Sequence, residues 1–82
     1  MTMVSVRFFA QLREAVGVEG LEIEAIDLEA VLATLAKRYS ADVYAQLRAD
    51  NVRIAVNQDL VTGNPVLSNG DEVAFLPPVT GG

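Results

Sequence analysis

Residues Val4 to Phe9 alternate, with Val4, Val6 and Phe8 on one side of the chain and Ser5, Arg7 and Phe9 on the other. A period of two is the pattern of a strand with one buried face, so the first three are assigned to the core. Phe9 then falls on the opposite face, where an aromatic ring stays in water unless something covers it. Ala10 to Val16 reads as a short turn or single helical coil closed by Gly17. Leu21, Ile23 and Ala25 next alternate with Glu22 and Glu24. That spacing predicts a second strand with an acidic outer face, paired with the first as a hairpin.

The clearest helix starts at Asp27, whose carboxylate is placed to accept backbone N–H bonds, with Ile26 and Val31 spaced as a hydrophobic staple. Leu28, Val31, Leu32, Leu35, Ala36 and Tyr39 then form one apolar stripe at helical spacing. Glu29 near its start and Lys37 and Arg38 near its end complement the helix dipole on a solvated face. A weaker helical pattern through Val43, Tyr44 and Leu47 stops at Asn51. Arg53 to Asn57 resumes the period of two with Ile54 and Val56 inward, and Gln58 and Asp59 are expected to turn the chain into a stub of strand at Leu60 and Val61. Gly63, Asn64 and Pro65 are loop residues, and Ser68 to Asp71 make a turn with Gly70 available for positive φ. Glu72 to Leu76 is the last strand, with Val73 and Phe75 on one face and Ala74 and Leu76 on the other. Pro77 has no N–H for a ladder, so the strand ends there.

This order predicts an α+β fold of the β-grasp type, a mixed sheet packed on one main helix with the first and last strands adjacent in the middle. Pairing those two strands puts Phe9 and Leu76 on the same outer face, where Leu60 joins them as a docking patch. The expected organisation is one domain over residues 1–76 and an extended tail over residues 77–82.

Composition narrows the chemistry. At 82 residues the chain holds a single core but not a deep substrate cavity of its own, so a partner supplies most of any active site. The 51% apolar content and mean hydropathy of +0.31 point to a globule, and no apolar run reaches the roughly 20 residues of a membrane span. Met1 to Ala10 lacks a signal-peptide layout, which sets the expectation of a cytoplasmic protein that does not engage a membrane. The sequence has neither Cys nor His, which removes disulfides, thiolate nucleophiles, imidazole bases and the usual metal sites, so no metal is expected. Six basic against eleven acidic residues give a net charge of −5 without a basic cluster, arguing against nucleic acid and for a basic or neutral protein partner.

The one chemical handle left is the ending Pro77-Pro78-Val79-Thr80-Gly81-Gly82. Two glycines without a β-carbon pass through a slot too narrow for other residues and offer a carboxylate at the tip of a thin rod. Six extended residues reach roughly 20 Å at about 3.3–3.6 Å each, enough to thread from a globular surface into a buried site. Pro77 and Pro78 stiffen the root of that rod as well as ending the strand. A frayed, inert end is the competing reading.

Three segments carry a family resemblance: Arg7-Phe8-Phe9-Ala10-Gln11-Leu12-Arg13-Glu14, Ala55-Val56-Asn57-Gln58-Asp59-Leu60-Val61, and the ending from Leu67 to Gly82. Together they resemble the small subunits of molybdopterin synthase, which are ubiquitin-like sulfur carriers. The resemblance implies that an ATP-dependent adenylyltransferase of the E1 type activates the terminal carboxylate and a sulfurtransferase supplies sulfur. The resulting thiocarboxylate gives its sulfur to cyclic pyranopterin monophosphate inside the large subunit, the assembly being a heterotetramer. Carried over residue by residue, Gly82 bears the sulfur and Gly81 allows entry. Phe9, Arg13, Leu60, Leu76, Pro77, Pro78, Val79 and Thr80 become candidate partner contacts. No cofactor is expected on the chain itself, ATP being used by the activating enzyme, and the catalytic side chains are expected on the large subunit. The alternatives are a carrier for thiamin or tRNA thiolation, a ubiquitin-like modifier joined to lysines, and a plain interaction domain with an inert tail.

Overall fold

Phe8 and Phe75 stack at the centre of the molecule with ring centroids 5.6 Å apart. They meet because the first and last strands lie parallel in the middle of the sheet with Phe8 opposite Phe75. This computed structural model describes residues 1–78. Five strands, β1 (Met3–Phe8), β2 (Gly20–Glu24), β3 (Arg53–Val56), β4 (Asp59–Leu60) and β5 (Glu72–Leu76), are interleaved with helices α1 (Ala10–Val16), α2 (Leu28–Arg38) and α3 (Ala41–Leu47). The sheet order is β2-β1-β5-β3-β4, with β1 and β5 parallel and the other neighbours antiparallel. This is the mixed β-grasp sheet that the order of patterns predicts.

Strand parity decides which side chains fill the core. Val4, Val6 and Phe8 of β1, Ile23 of β2 and Val73 and Phe75 of β5 are buried, as the alternation requires. Ile54 and Val56 stand opposite Phe75 and Val73 and pack against the same cluster, so they face inward as expected. From α2, Leu28, Val31 and Leu35 are buried against this face, with Leu32 and Tyr39 packed at its margin. Ala36 is exposed, which narrows the predicted stripe: it sits at the stripe's edge, and its methyl group is too short to reach the sheet.

Two local expectations change. Ile26 is 66% exposed and outside the core, so it does not staple onto the buried Val31. Hydrogen bonds to a distant loop fix the start of α2 instead. The Ala30 N–H donates to Asp27 Oδ1 at 2.9 Å, the Glu29 N–H to Asn64 Oδ1 at 2.7 Å and the Leu28 N–H to the Pro65 carbonyl at 3.1 Å. Three N–H groups that a helix start leaves without an internal partner are satisfied, two of them from more than thirty residues away. The second change is the β3–β4 turn, which lies on Asn57 and Gln58 rather than on Gln58 and Asp59. Both residues have positive φ (50° and 74°) between the pair Val56 and Asp59, the signature of a type I′ two-residue hairpin. β4 therefore starts at Asp59. Asn tolerates the left-handed region, and Asn57 is held there by donating its N–H to the Glu72 carbonyl at 2.8 Å.

Candidate functional site

On the outer face of the sheet the register places Arg7 of β1 opposite Ala74 of β5, Ala74 opposite Ala55 of β3, and Ala55 opposite Leu60 of β4. Two small residues in adjacent central strands leave a depression between larger neighbours. Ala55 and Ala74 are buried at its floor, while Phe9, Leu60 and Leu76 stand around it and Gln58 and Glu72 complete the rim. The groove encloses about 520 Å³. Phe9 is 37% exposed and Leu60 66% exposed, so apolar surface is presented to solvent. An apolar side chain from a partner fits this arrangement, since its burial and that of the rim release water together.

The charges beside the groove steady its walls. Arg7 Nη1 lies 3.6 Å from Glu72 Oε2, and the same guanidinium sits 5.7 Å from the centroid of the Phe9 ring. Both partners of the ion pair are well exposed, so its net contribution is small, in the range of about 0–1 kcal/mol. Its geometric effect is to place a cation over the Phe9 ring. Glu72 also begins β5, where its N–H donates to Asn57 Oδ1 at 3.0 Å. The Asn57 side-chain amide in turn donates to Asp71 Oδ1 at 2.9 Å, and the Ser68 N–H donates to Asp71 Oδ2 at 2.8 Å. Those two donors, Ser68 first, hold the Asp71 carboxyl below its ordinary value.

The structure brings together three of the sequence-predicted contacts, Phe9, Leu60 and Leu76. Arg13 is not among the groove's lining residues: it lies one turn along α1, 3.6 Å from Glu19, with both side chains exposed. Pro77 and Pro78 follow β5 directly and are partly buried. Val79, Thr80, Gly81 and Gly82 lie outside the described residues. Arg7, Ala55, Gln58, Glu72 and Ala74 were not predicted at the site. The available signal was Ala at outward positions of neighbouring strands beside larger apolar residues, but it speaks only once the register is known. Apart from Gln58 and the Glu72 carboxylate, the groove is lined by apolar side chains. Among the described residues no helix is long and apolar enough to cross a membrane.

Known proteins share both the sequence and this architecture. The model of the ThiS family matches residues 6–82. The molybdopterin synthase sulfur carrier subunit of Escherichia coli K12 is 45% identical, an alignment covering 98% of this chain and 100% of that protein. Small archaeal modifier protein 1 from Methanosarcina acetivorans superposes with a TM-score of 0.82 at 30% identity, covering 100% of this chain and 98% of that one. A chain in the complex of subunits 1 and 2 of molybdopterin-converting factor from Helicobacter pylori 26695 superposes with a TM-score of 0.73 at 32% identity, covering 99% and 100% of the two chains. Family model, full-length identity and β-grasp architecture agree: the chain belongs to the ThiS family and is similar over its length to molybdopterin synthase sulfur carrier subunits.

Proposed function

We propose that this chain is the sulfur carrier subunit of a molybdopterin synthase, docking through the groove around Ala55 and Ala74 and delivering sulfur on Gly82. The observation that carries this reading is identity of 45% with a sulfur carrier subunit, over 100% of that protein's length. The fold is consistent with a division of labour between the sheet and the tail. Leu76, the last residue of β5, lines the groove, so a partner seated there lies beside the root of the tail over residues 77–82.

A free α-carboxylate has a pKa of about 3.3–3.7, so at neutral pH it is an anion that nucleophiles do not attack. Activation must come first. A carboxylate oxygen of Gly82 displaces pyrophosphate from ATP on an E1-like adenylyltransferase. The outer sulfur of a sulfurtransferase persulfide then displaces AMP to give an acyl disulfide, and a thiol cleaves its S–S bond, leaving as a disulfide with the sulfurtransferase. One carboxylate oxygen leaves with the AMP, and a thiocarboxylate remains. Held by the large subunit in a heterotetramer, this group gives its sulfur to cyclic pyranopterin monophosphate. With no Cys or His anywhere in the chain, the acids and bases of that step belong to the large subunit. In this reading the chain works in the cytoplasm, holds no cofactor of its own and acts as a sulfurtransferase only in complex.

Incubation with a cognate activating enzyme, ATP and a sulfur source is expected to raise the intact mass by one oxygen-to-sulfur exchange, located at Gly82 by fragmentation. An unchanged mass, with the enzyme verified active on another carrier, would sink the proposal. A second reading, conjugation to lysines as a protein modifier, draws on the likeness to small archaeal modifier protein 1. A higher-mass adduct retaining the whole chain on a target lysine would favour it.

A further inference from the structure

Phe9 offers its ring to solvent on a backbone that is already fixed. Its carbonyl accepts the Leu12 N–H at 3.0 Å and the Arg13 N–H at 3.4 Å, so β1 on one side and the first turn of α1 on the other hold the main chain. The ring itself stands exposed at the groove wall. A side chain in that position samples several rotamers, and binding that requires one of them loses the entropy of the others. Whatever holds the ring before a partner arrives lowers that cost.

Arg7 is placed to hold it. The residue lies two positions before Phe9, on the outward side of β1. Gly20 of β2 stands opposite, and a β-carbon there would come within 3.3 Å of Arg7 Cδ, so the arginine stem uses space that the glycine leaves. The guanidinium is 5.7 Å from the centroid of the Phe9 ring and 3.6 Å from Glu72 Oε2. Glu72 is reached diagonally, since Ser5 stands opposite it and Arg7 stands opposite Ala74. One cation thereby links the aromatic wall of the groove to its acidic rim. Glu72 is also the one charged residue of the lining. An apolar side chain that covers an unpaired carboxylate strips it of water at a cost, which a guanidinium beside the carboxylate reduces.

We propose that Arg7 is a positioning residue for docking: tethered by Glu72, its guanidinium holds the Phe9 ring in the orientation a partner meets and neutralises the one carboxylate of the groove, so that an apolar side chain of the large subunit seats over Ala55 and Ala74. The inference rests on the reading above that this groove docks the large subunit. Arg7, Phe9 and Glu72 then act as a unit, and removing the cation affects both of the others. The effect falls on binding rather than on folding, because both partners of the ion pair are well exposed in the free chain.

The test titrates the full chain with its large subunit and follows the phenylalanine rings of the free chain by carbon-13 NMR. Arg7→Met keeps an apolar stem and removes the charge. It is expected to weaken binding about threefold to fivefold while thermal unfolding stays in place, and Arg7→Lys, which keeps a cation, to recover part of the loss. The loss should shrink in a Phe9→Leu background, where no π face remains, and in a Glu72→Gln background, where no carboxylate needs a counter-charge. In the free chain Arg7→Met should move the ring resonances of Phe9 and leave those of the buried Phe75 in place. The inference is overturned if Arg7→Met binds as well as wild type while Phe9→Asp weakens binding, if the loss is equally large in both backgrounds, or if the Phe9 resonances do not move. If Phe9→Asp also binds like wild type, or the wild-type chain does not bind the large subunit, the docking reading itself falls and takes the inference with it.

Discussion

Gly20 has no room for a side chain. A β-carbon placed there would stand 2.5 Å from the carbonyl oxygen of Val6 in the paired strand, a backbone atom that cannot swing aside. Gly20 sits opposite Arg7 at the start of β2, and the preceding carbonyl, that of Glu19, accepts the Phe8 N–H at 2.9 Å. Widening the ladder at this point therefore pushes on the residues that lead to Phe9. Gly20→Ala is expected to cost about 1–3 kcal/mol in urea unfolding, as inserted methyl groups do where atoms cannot yield. An unchanged midpoint would show that β2 shifts freely. At this scale the sequence is legible where parity alone decides: the inward set Val4, Val6 and Phe8 and the outward Phe9 follow from alternation. It is silent on Ala55, Ala74 and the cation over Phe9, because those depend on which residue of one strand stands beside which residue of another.

The elements show the same division between local and distant causes. α2 was readable because its stripe and its Asp27 cap are local, whereas the bonds from Asn64 and Pro65 that complete its first turn come from a loop remote in sequence. The β3–β4 turn was misplaced by one residue because Asn57 and Gln58 owe their positive φ partly to β5, through the bonds from Asn57 to Glu72 and Asp71. That clip is sensitive to pH in a definite direction. The Asp71 carboxyl is held below its ordinary 3.8 in the folded chain by the Ser68 N–H and the Asn57 amide. A folded-state pKa lower than the unfolded one stabilises the fold fully above 3.8, where both states are ionised. Below that value the unfolded chain takes up the proton first, and the contribution is lost as pH falls through the lower, folded-state value. Wild type is thus expected to be more stable than Asp71→Asn at neutral pH, by a margin that holds down to the carboxyl range and then shrinks. Urea midpoints of both proteins against pH check this, and a margin independent of pH would contradict it.

For the whole molecule, strand order sets the outer groove beside the end of β5, so recognition on the sheet and delivery on the tail that follows it fall to different parts of the chain. The β-grasp arrangement was legible because the order of patterns leaves few ways to bury five strands on one helix, but the depth and position of the groove emerge only when the sheet closes. If the outer groove docks the large subunit and Gly82 carries the sulfur, the two functions can be removed one at a time. Phe9→Asp sets a carboxylate into an apolar wall beside Glu72, and loss of an aromatic anchor of this kind typically weakens a complex by at least about tenfold. Phe9 is the N-cap of α1 and makes no side-chain cap bond, while the new carboxylate can accept one from the helix start, so thermal unfolding should not move to lower temperature. Loss of the fold instead would mean that the ring stabilises the core rather than a partner. Deleting Gly82 should do the reverse. The buried hydrophobic side chains of the described residues run from Val4 to Phe75, so unfolding and large-subunit binding should both persist while the oxygen-to-sulfur exchange and molybdopterin synthesis disappear. Residues added after Gly82 should act like the deletion, because an internal amide is not adenylated. If such an extended chain still supported synthesis without being trimmed, a free carboxylate at Gly82 would not be the reactive group, and the groove would have to be judged as a docking surface on its own.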